Sequence, residues 1–268
     1  MTGKYVTHKI NRKSGSGAPL LIPVYGTPTE ASLPTELRQY STDTVILLDP
    51  RGLRAESVQR AEARFFDFYR HAANAAQNSG ADPLFLCPSA LSAPSALTRA
   101  PRPFFARDLL LSQLTALLRV SATTRVAPIL PYADSKEHFH ALHGLLDIAM
   151  SALFAQNVVF DEFLPVGALP ASFEILSEAD PIFEEADFLL IDTDLPWYGS
   201  ETALLTLLQN GISKALQAGH PTLLCGKKAL SHALLPGLLD VGAVGLCLPT
   251  HLQEDVFRKA LHIFKDIT

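Results

Sequence analysis

The chain has little cysteine, no long apolar run and no excess of basic residues, and each shortage excludes a class of protein. Its 268 residues include three cysteines, too few for a disulfide framework, which predicts reduced thiols in a cytoplasmic protein. No apolar run approaches the roughly 20 residues that a membrane-spanning helix needs, so no membrane partner is expected. The formal net charge of −5 argues against nucleic-acid binding, which favours a basic surface.

Short apolar runs are what the sequence has in abundance. Hydrophobic residues make up 48% of the chain and the mean hydropathy is +0.18, as expected where strands are buried on both faces. Each run is aliphatic and bounded by Gly, Pro, Asp or Asn, which indicates a buried parallel strand. The predicted strands are 20–25, 44–49, 83–87, 125–130, 164–169, 187–192, 222–225 and 244–248.

Stretches of helix length separate these runs. Residues 58–77 carry an apolar stripe at spacings of three and four, which predicts an amphipathic helix with Val58, Ala61, Phe65, Tyr69, Ala72 and Ala76 on one face. A second helix is predicted over 107–120, after a Pro- and Ser-rich loop over 88–106. Asp134 with Glu137, and Thr250 with Gln253, have the spacing of capping boxes, and a last helix follows at about 252–264.

Eight strands that alternate with helices form either a closed barrel or an open doubly wound sheet. An open sheet usually carries a glycine-rich phosphate loop after its first strand, but this chain has Tyr25-Gly26-Thr27-Pro28 there. The sequence therefore predicts an α/β fold, a (β/α)8 TIM barrel that forms a single domain over residues 18–268. Residues 1–17 are basic and then Gly/Ser-rich, without a secretory pattern, which predicts a flexible lead-in.

The carboxyl ends of barrel strands share one mouth, and the residues at these ends are the candidate site. Lys227 and Lys228, with Arg51, could attract a small carboxylate or phosphate; ordinary polar loop ends are the alternative. Asp192 and Asp194 fall on one side of an extended strand and could hold Mg²⁺ or share a proton, or they could be solvated residues or a helix cap. Cys225 is either a thiol activated by these lysines or inert packing.

Several segments in order resemble the C-terminal phosphoenolpyruvate-binding barrel of enzyme I of the sugar phosphotransferase system, and related pyruvate-phosphate dikinases. The matching segments are 64–75, 109–142, 160–169, 185–195 and 220–250. The resemblance implies a mouth that binds phosphoenolpyruvate with Mg²⁺, a domain that dimerises, and a phosphotransferase-system protein as partner. It also implies that Cys225 is the family's proton donor to the enolate carbon.

Most of the residues that the family's chemistry requires are replaced. Leu48-Asp49-Pro50 and Cys87-Pro88-Ser89 stand where the resemblance leads us to expect arginines, and Ala171 and Leu195 stand at the metal-ligand positions. Charge-assisted hydrogen bonds contribute about 1.5 to 3 kcal/mol each. Losing two arginines and two metal-binding carboxylates therefore removes on the order of 6 kcal/mol of binding free energy, or about four decades of affinity. Phosphotransfer is not expected, and the retained Cys225 is then vestigial.

The sequence thus favours a pseudoenzyme: a degenerate barrel of this family that acts as a binding, regulatory or dimerisation module. The alternatives are an enzyme that acts on phosphoenolpyruvate- or pyruvate-like carboxylates through Cys225, and a phosphotransferase subunit completed by a partner. No metal site and no cofactor are expected, except Mg²⁺ if the site is competent. A homodimer is expected. His138, His140 and His143 are interpreted as solvent-facing residues of a helix.

Overall fold

A computed structural model describes residues 20–26, 47–49, 58–79, 84–88, 103–177, 185–226, 228–231, 233–243 and 245–249. The strands in these ranges are β1 (Leu20–Gly26), β2 (Leu47–Asp49), β3 (Leu84–Leu86), β4 (Val126–Ala133), β5 (Gly167–Pro170), β6 (Phe188–Asp192), β7 (Thr222–Cys225) and β8 (Gly245–Pro249). The helices are α1 (Val58–Ser79), α2 (Pro103–Ser121), α3 (Lys136–Ala155), α4 (Glu201–Gln217) and α5 (Leu235–Asp240). Short 3-10 turns lie at Glu174–Ser177 and Lys228–Leu230.

The eight strands form a closed parallel barrel in chain order. Each strand pairs with the next, and β8 pairs with β1 over the register from Leu20–Gly245 to Val24–Pro249. The predicted parallel eight-stranded barrel is therefore confirmed. Because every strand runs in the same direction, all the carboxyl ends lie at one end of the barrel.

Side chains alternate between the helix layer and the barrel interior. Leu189 of β6 packs in one apolar cluster with residues of α3. Ile191 of β6 and Leu224 of β7 pack in a second cluster with residues of α4. Because successive side chains of a strand point to opposite faces, the neighbouring positions Phe188, Asp192 and Cys225 face the barrel interior.

The predicted apolar stripe of α1 is confirmed where its side chains are described. Phe65, Tyr69 and Ala72 are buried, and α1 packs along α2. At this contact the Arg119 guanidinium lies 4.2 Å from the centre of the Phe66 ring. The same guanidinium donates a hydrogen bond to the Glu62 carboxylate at 3.1 Å. The side chains of Val58, Ala61 and Ala76 are not among those that the structure describes.

Two predicted boundaries are wrong. Helix α2 begins at Pro103, inside the predicted loop 88–106. Proline suits the first helical position because the backbone N–H that it lacks would have no partner within the helix there. Asp134 was expected to cap α3, but Ser135 is the N-cap, and its hydroxyl accepts a hydrogen bond from the His138 amide at 3.1 Å. Asp134 instead contacts the His138 ring, with 2.9 Å between Oδ1 and Nδ1.

Some predictions fall outside the described residues. These are the lead-in over 1–17, most of the loop 88–106, the cap at Thr250 and the last helix at 252–264. Among the helices that are described, none is both long enough and apolar enough to cross a bilayer.

Close packing between β5 and β6 gives a stability prediction. A Cβ atom added at Gly167 would lie 2.3 Å from the Phe188 ring, so the ring must move. We expect Gly167→Ala to lower the free energy of unfolding by about 1–3 kcal/mol. Gly144→Ala in α3 is the matched control, because a Cβ there meets no atom within 4 Å, and it should stabilise by about 0.5–1 kcal/mol. Urea denaturation measures both, and equal midpoints for the two variants would contradict this packing.

Candidate functional site

The carboxyl ends of β6 and β7 form the described part of the barrel mouth. Asp192 ends β6, Cys225 ends β7, and the two are register partners in the parallel sheet. Asp194 and Lys228 lie in the turns that follow these strands. Arg51 and Lys227, the other two candidate ligand-binding residues, lie outside the described residues.

The Asp192 carboxylate accepts a hydrogen bond within the turn that follows β6. Its Oδ1 accepts a hydrogen bond from the Asp194 amide at 2.9 Å, which closes a small turn of a kind that aspartate often forms after a strand. Asp194 is therefore beyond the end of β6. The expectation that Asp192 and Asp194 share one side of a strand is wrong, because the strand ends before the second carboxylate.

Thr193, which is not among the candidate residues predicted from the sequence, joins the two loops. Its side chain is fully buried, and its hydroxyl donates to the Cys225 carbonyl oxygen at 2.7 Å. The same oxygen atom of Thr193 accepts a hydrogen bond from the Ala229 amide at 2.9 Å. A threonine between two aspartates at a strand end is a signal for such turn hydrogen bonding, but its partners are remote in sequence.

Asp194 and Lys228 make a second connection between the same loops. Asp194 Oδ1 accepts a hydrogen bond from the Lys228 amide at 3.1 Å, at the start of the 3-10 turn. The Lys228 ammonium donates to the Leu195 carbonyl oxygen at 2.9 Å. Asp194 therefore caps this turn and not the helix after Trp197, since α4 has Ser200 as its N-cap.

Gly226 allows the two loops to approach each other. Its φ of +95° lies in the left-handed region, which side chains disfavour. A Cβ atom there would lie 2.7 Å from Thr193 Oγ1 and 2.9 Å from the Asp194 backbone nitrogen. Glycine is therefore required at this position both for the backbone angle and for the space.

Cys225 lies partly exposed on the inner face of the mouth. Cys225 carries a thiol and is not half of a disulfide. The same is true of Cys87, which lies just after β3. Its backbone carbonyl is held by Thr193, as described above, so the position of the residue at the end of β7 is well defined. The thiol could act as a nucleophile, a proton donor or a ligand for a soft metal.

Other titratable groups near this end of the barrel are paired locally. His138, His140 and His143 lie within 2.9, 3.2 and 3.6 Å of carboxylate oxygens, those of Asp134, Glu185 and Asp147 respectively. The His140 side chain is 77% exposed, in agreement with a solvent-facing position. Among the side chains that the structure describes, no group of three His, Cys, Asp or Glu residues could hold a metal ion.

Glu174 adds a carboxylate in the turn that follows β5. A hydrogen bond from its own backbone amide, and then one from the Ser172 side chain, lower the pKa of Glu174. This carboxyl group therefore stays ionised to lower pH than an ordinary glutamate. It lies three residues after Ala171, the position at which the resemblance placed a metal-ligand glutamate.

The mouth between β6 and β7 is thus a wall held by hydrogen bonds between its loops. Asp194, Lys228 and Thr193 are used in these connections. Asp192 and Cys225 lie at the inner edge, where both are partly exposed. Chemically, this part of the mouth presents a carboxylate beside a thiol.

Similarity to a solved structure supports the barrel. No protein-family profile matches this chain, and no curated protein sequence matches it. The structure is similar to the crystal structure of an HpcH/HpaI aldolase from Desulfitobacterium hafniense, with a TM-score of 0.56 and 10% sequence identity, over 92% of this chain and 93% of that one. A thiamine phosphate pyrophosphorylase from Pyrococcus furiosus aligns with a TM-score of 0.46 and 15% identity, over 92% and 97% of the two chains.

The resemblance to the phosphoenolpyruvate-binding barrel of enzyme I is wrong. A solved structure with the same fold is that of an HpcH/HpaI aldolase, and no family profile supports the expected family. The segments that suggested it are short apolar strands and amphipathic helices, which any barrel of this kind requires. The implied phosphotransferase-system partner falls with it, because it rested on that resemblance alone.

Gly226 gives a prediction that separates backbone strain from steric overlap. Gly219 also has a left-handed φ, +88°, but a Cβ atom there meets nothing within 4 Å. We expect Gly219→Ala to cost about 1–2 kcal/mol of unfolding free energy from the backbone angle alone. Gly226→Ala should cost that amount and a further 1–3 kcal/mol, roughly, from overlap with the β6 loop. Urea denaturation measures both, and equal losses would show that the loops are not in close contact.

Proposed function

We propose that this chain is a binding or regulatory barrel, whose mouth holds a small carboxylate or phosphate without Mg²⁺-dependent chemistry. The observation that carries the proposal is the use of Asp194 and Lys228 to join the two loops. In a catalytic mouth these side chains would converge on the reacting atoms. In this chain the Asp194 carboxylate accepts a hydrogen bond from the Lys228 backbone amide at 3.1 Å.

Withdrawing Lys228 from its loop would be costly. Its ammonium donates to the Leu195 carbonyl oxygen, and a hydrogen bond to a charged group contributes about 1.5–3 kcal/mol. A ligand that recruited this ammonium would have to replace that bond. Attraction for an anion therefore falls to Lys227, next to Gly226 in sequence, and to Arg51, two residues after the end of β2. Both assignments are part of the proposal.

The carboxylates favour a site that does not depend on Mg²⁺. One oxygen of Asp192 and one of Asp194 each accept a backbone amide hydrogen bond. Turning either group fully towards a cation would break the turn that it closes. A site that uses only a few fixed polar groups is instead typical of small-molecule binding.

A homodimer is part of the same proposal. Three large apolar side chains near the end of α3 and in the loop before β5 are exposed, with Phe154 at 72%, Val159 at 74% and Phe163 at 78%. This loop leads into the amino end of β5, so it is at the end of the barrel opposite the mouth. Exposed apolar groups of this kind support an interface between protein chains. An interface there would leave the mouth accessible.

A second candidate is an enzyme that acts on pyruvate-like carboxylates, with Cys225 as the reactive group. The fold is similar to that of a solved aldolase, and Cys225 is partly exposed at the mouth. An aldol reaction needs a group that moves a proton at the carbon next to a carbonyl, and a thiol can do this. Asp192, its register partner, is the nearest carboxylate along the row of strand ends.

Ligand titration tests the first proposal. We expect pyruvate, oxalate or phosphoenolpyruvate to raise the melting temperature equally with and without Mg²⁺. Ligand at 100 times its dissociation constant contributes about 2.7 kcal/mol of stability. Lys227→Gln and Arg51→Gln should lose this response. Lys228→Gln is the matched control: it should melt lower but respond to the ligand normally. A response only with Mg²⁺, or no response to any of the three compounds, would contradict the proposal.

Turnover tests the second candidate. Purified protein is incubated with pyruvate and a small aldehyde, and pyruvate consumption is measured. The binding proposal expects none. If Cys225 is a proton-transfer group, pyruvate is consumed, and Cys225→Ser lowers the rate by about 10²–10⁴-fold, whereas Cys87→Ser does not. Consumption that is equal in wild type and Cys225→Ser would exclude Cys225 from that role.

A further inference from the structure

Tyr198 is the most exposed of the large apolar side chains that the structure describes, at 98%. It lies in the loop that joins β6 to α4, on the rim of the mouth. Phe154, Val159 and Phe163, which the proposed homodimer uses, lie at the opposite end of the barrel. A single exposed ring is ordinary on a protein surface, so its meaning depends on how the rim holds it and on what surrounds it.

Trp197 fixes the loop that carries this ring. Its indole Nε1 donates a hydrogen bond to the Ser200 carbonyl oxygen at 3.0 Å, and Ser200 is also the N-cap of α4. Its ring meets the Phe173 ring edge-on, with 5.9 Å between the ring centres. A Cβ atom added at Gly199 would lie 2.7 Å from the Trp197 ring, so the loop is closely packed around the indole. A side chain on a preformed loop loses less entropy on binding than one on a loop that must first be ordered.

A glutamate follows each of the two residues that Trp197 contacts. Glu174 comes after Phe173, and Glu201 comes after Ser200. Both glutamate side chains are exposed. The two carboxylates therefore belong to the same part of the rim as the exposed tyrosine ring. Together these side chains form a rim patch, which consists of Glu174, Trp197, Tyr198 and Glu201.

The surroundings of the rim patch carry an excess of negative charge. Hydrogen bonds to Glu174, from its own backbone amide and then from the Ser172 side chain, lower the pKa of this carboxyl group, so it is ionised at neutral pH. Among the side chains described in the loops after β5, β6 and β7, the other charged groups are Asp194 and Lys228. These two have opposite signs and balance each other. With Glu201 at the start of α4, carboxylates therefore outnumber ammonium groups on this part of the rim.

We propose that the rim patch binds an arginine-bearing segment of a partner protein. A guanidinium can stack on the face of a tyrosine ring and can also donate hydrogen bonds to a carboxylate, and the rim patch offers both groups within one pair of loops. Tyrosine and arginine are among the residues that contribute most to binding at protein interfaces. The excess of negative charge disfavours a phosphate-bearing partner. It also disfavours a second copy of this chain on the same face, since a twofold contact would place like charges together.

Tryptophan fluorescence tests the proposal, because Trp197 is the single tryptophan of the chain. The full chain is titrated with a short peptide of alternating arginine and glycine at about 0.15 M salt, where long-range attraction is screened. A saturable change in the Trp197 emission is expected. Tyr198→Ala should weaken binding by at least about 5-fold, and Tyr198→Phe by less than about 2-fold, because phenylalanine keeps the stacking face. Glu174→Gln and Glu201→Gln should each weaken binding by about 2–5-fold.

Phe163→Ala and Glu162→Gln are the matched controls, because they alter an exposed ring and an exposed carboxylate at the opposite end of the barrel. Both should bind the peptide as the wild type does. A peptide with lysine in place of arginine should bind at least about 3-fold more weakly, since an ammonium lacks the planar fork. The Tyr198 variants should melt as the wild type does, because the ring is almost wholly in solvent, so lost binding is separate from lost folding.

Three results would overturn the proposal. The first is an unchanged Trp197 emission at millimolar arginine peptide. The second is equal weakening by the control and rim-patch variants, which would indicate a general attraction to an acidic protein. The third is equal binding of the lysine and arginine peptides. The outcome is separate from that of the carboxylate titration, because the rim patch includes neither Arg51 nor Lys227.

Discussion

The pairing of β8 with β1 determines the geometry of the whole mouth. Because the sheet closes on itself with all strands parallel, the last residues of every strand are held around one opening. Backbone hydrogen bonds between neighbouring strands set which residues lie side by side. The carboxylate of Asp192 and the thiol of Cys225 are neighbours for this reason, and not because of any attraction between the two groups.

The loops after β6 and β7 add a second level of order to this frame. The buried Thr193 hydroxyl both donates and accepts, so replacing it would leave the buried Ala229 amide and the partly buried Cys225 carbonyl each short of one hydrogen bond. Asp194 and Lys228 repeat the connection nearer the surface. These polar residues stabilise the loop conformation, and this use of charge explains why polar strand ends in a barrel are not by themselves a sign of catalysis.

The barrel could be predicted from the sequence because buried parallel strands and amphipathic helices have distinct periods. Strand positions agree to within a few residues, and the stripe of Phe65, Tyr69 and Ala72 is buried as expected. The role of Asp194 could not be predicted, because it depends on the Lys228 amide, which a loop 34 residues further on brings to it. The family resemblance failed for a related reason: periodic features of a common fold are shared by unrelated functions.

The Phe188 ring, packed against Gly167 inside the barrel, lies at the end of the barrel opposite the mouth. It begins β6 and is fully buried, so it belongs to the packed inner layers that barrels of this kind have. Asp192 ends the same strand on the same inner face, about 13 Å away at about 3.3 Å per residue. One strand therefore carries structural packing at its beginning and the carboxylate of the candidate site at its end, so the two can change independently.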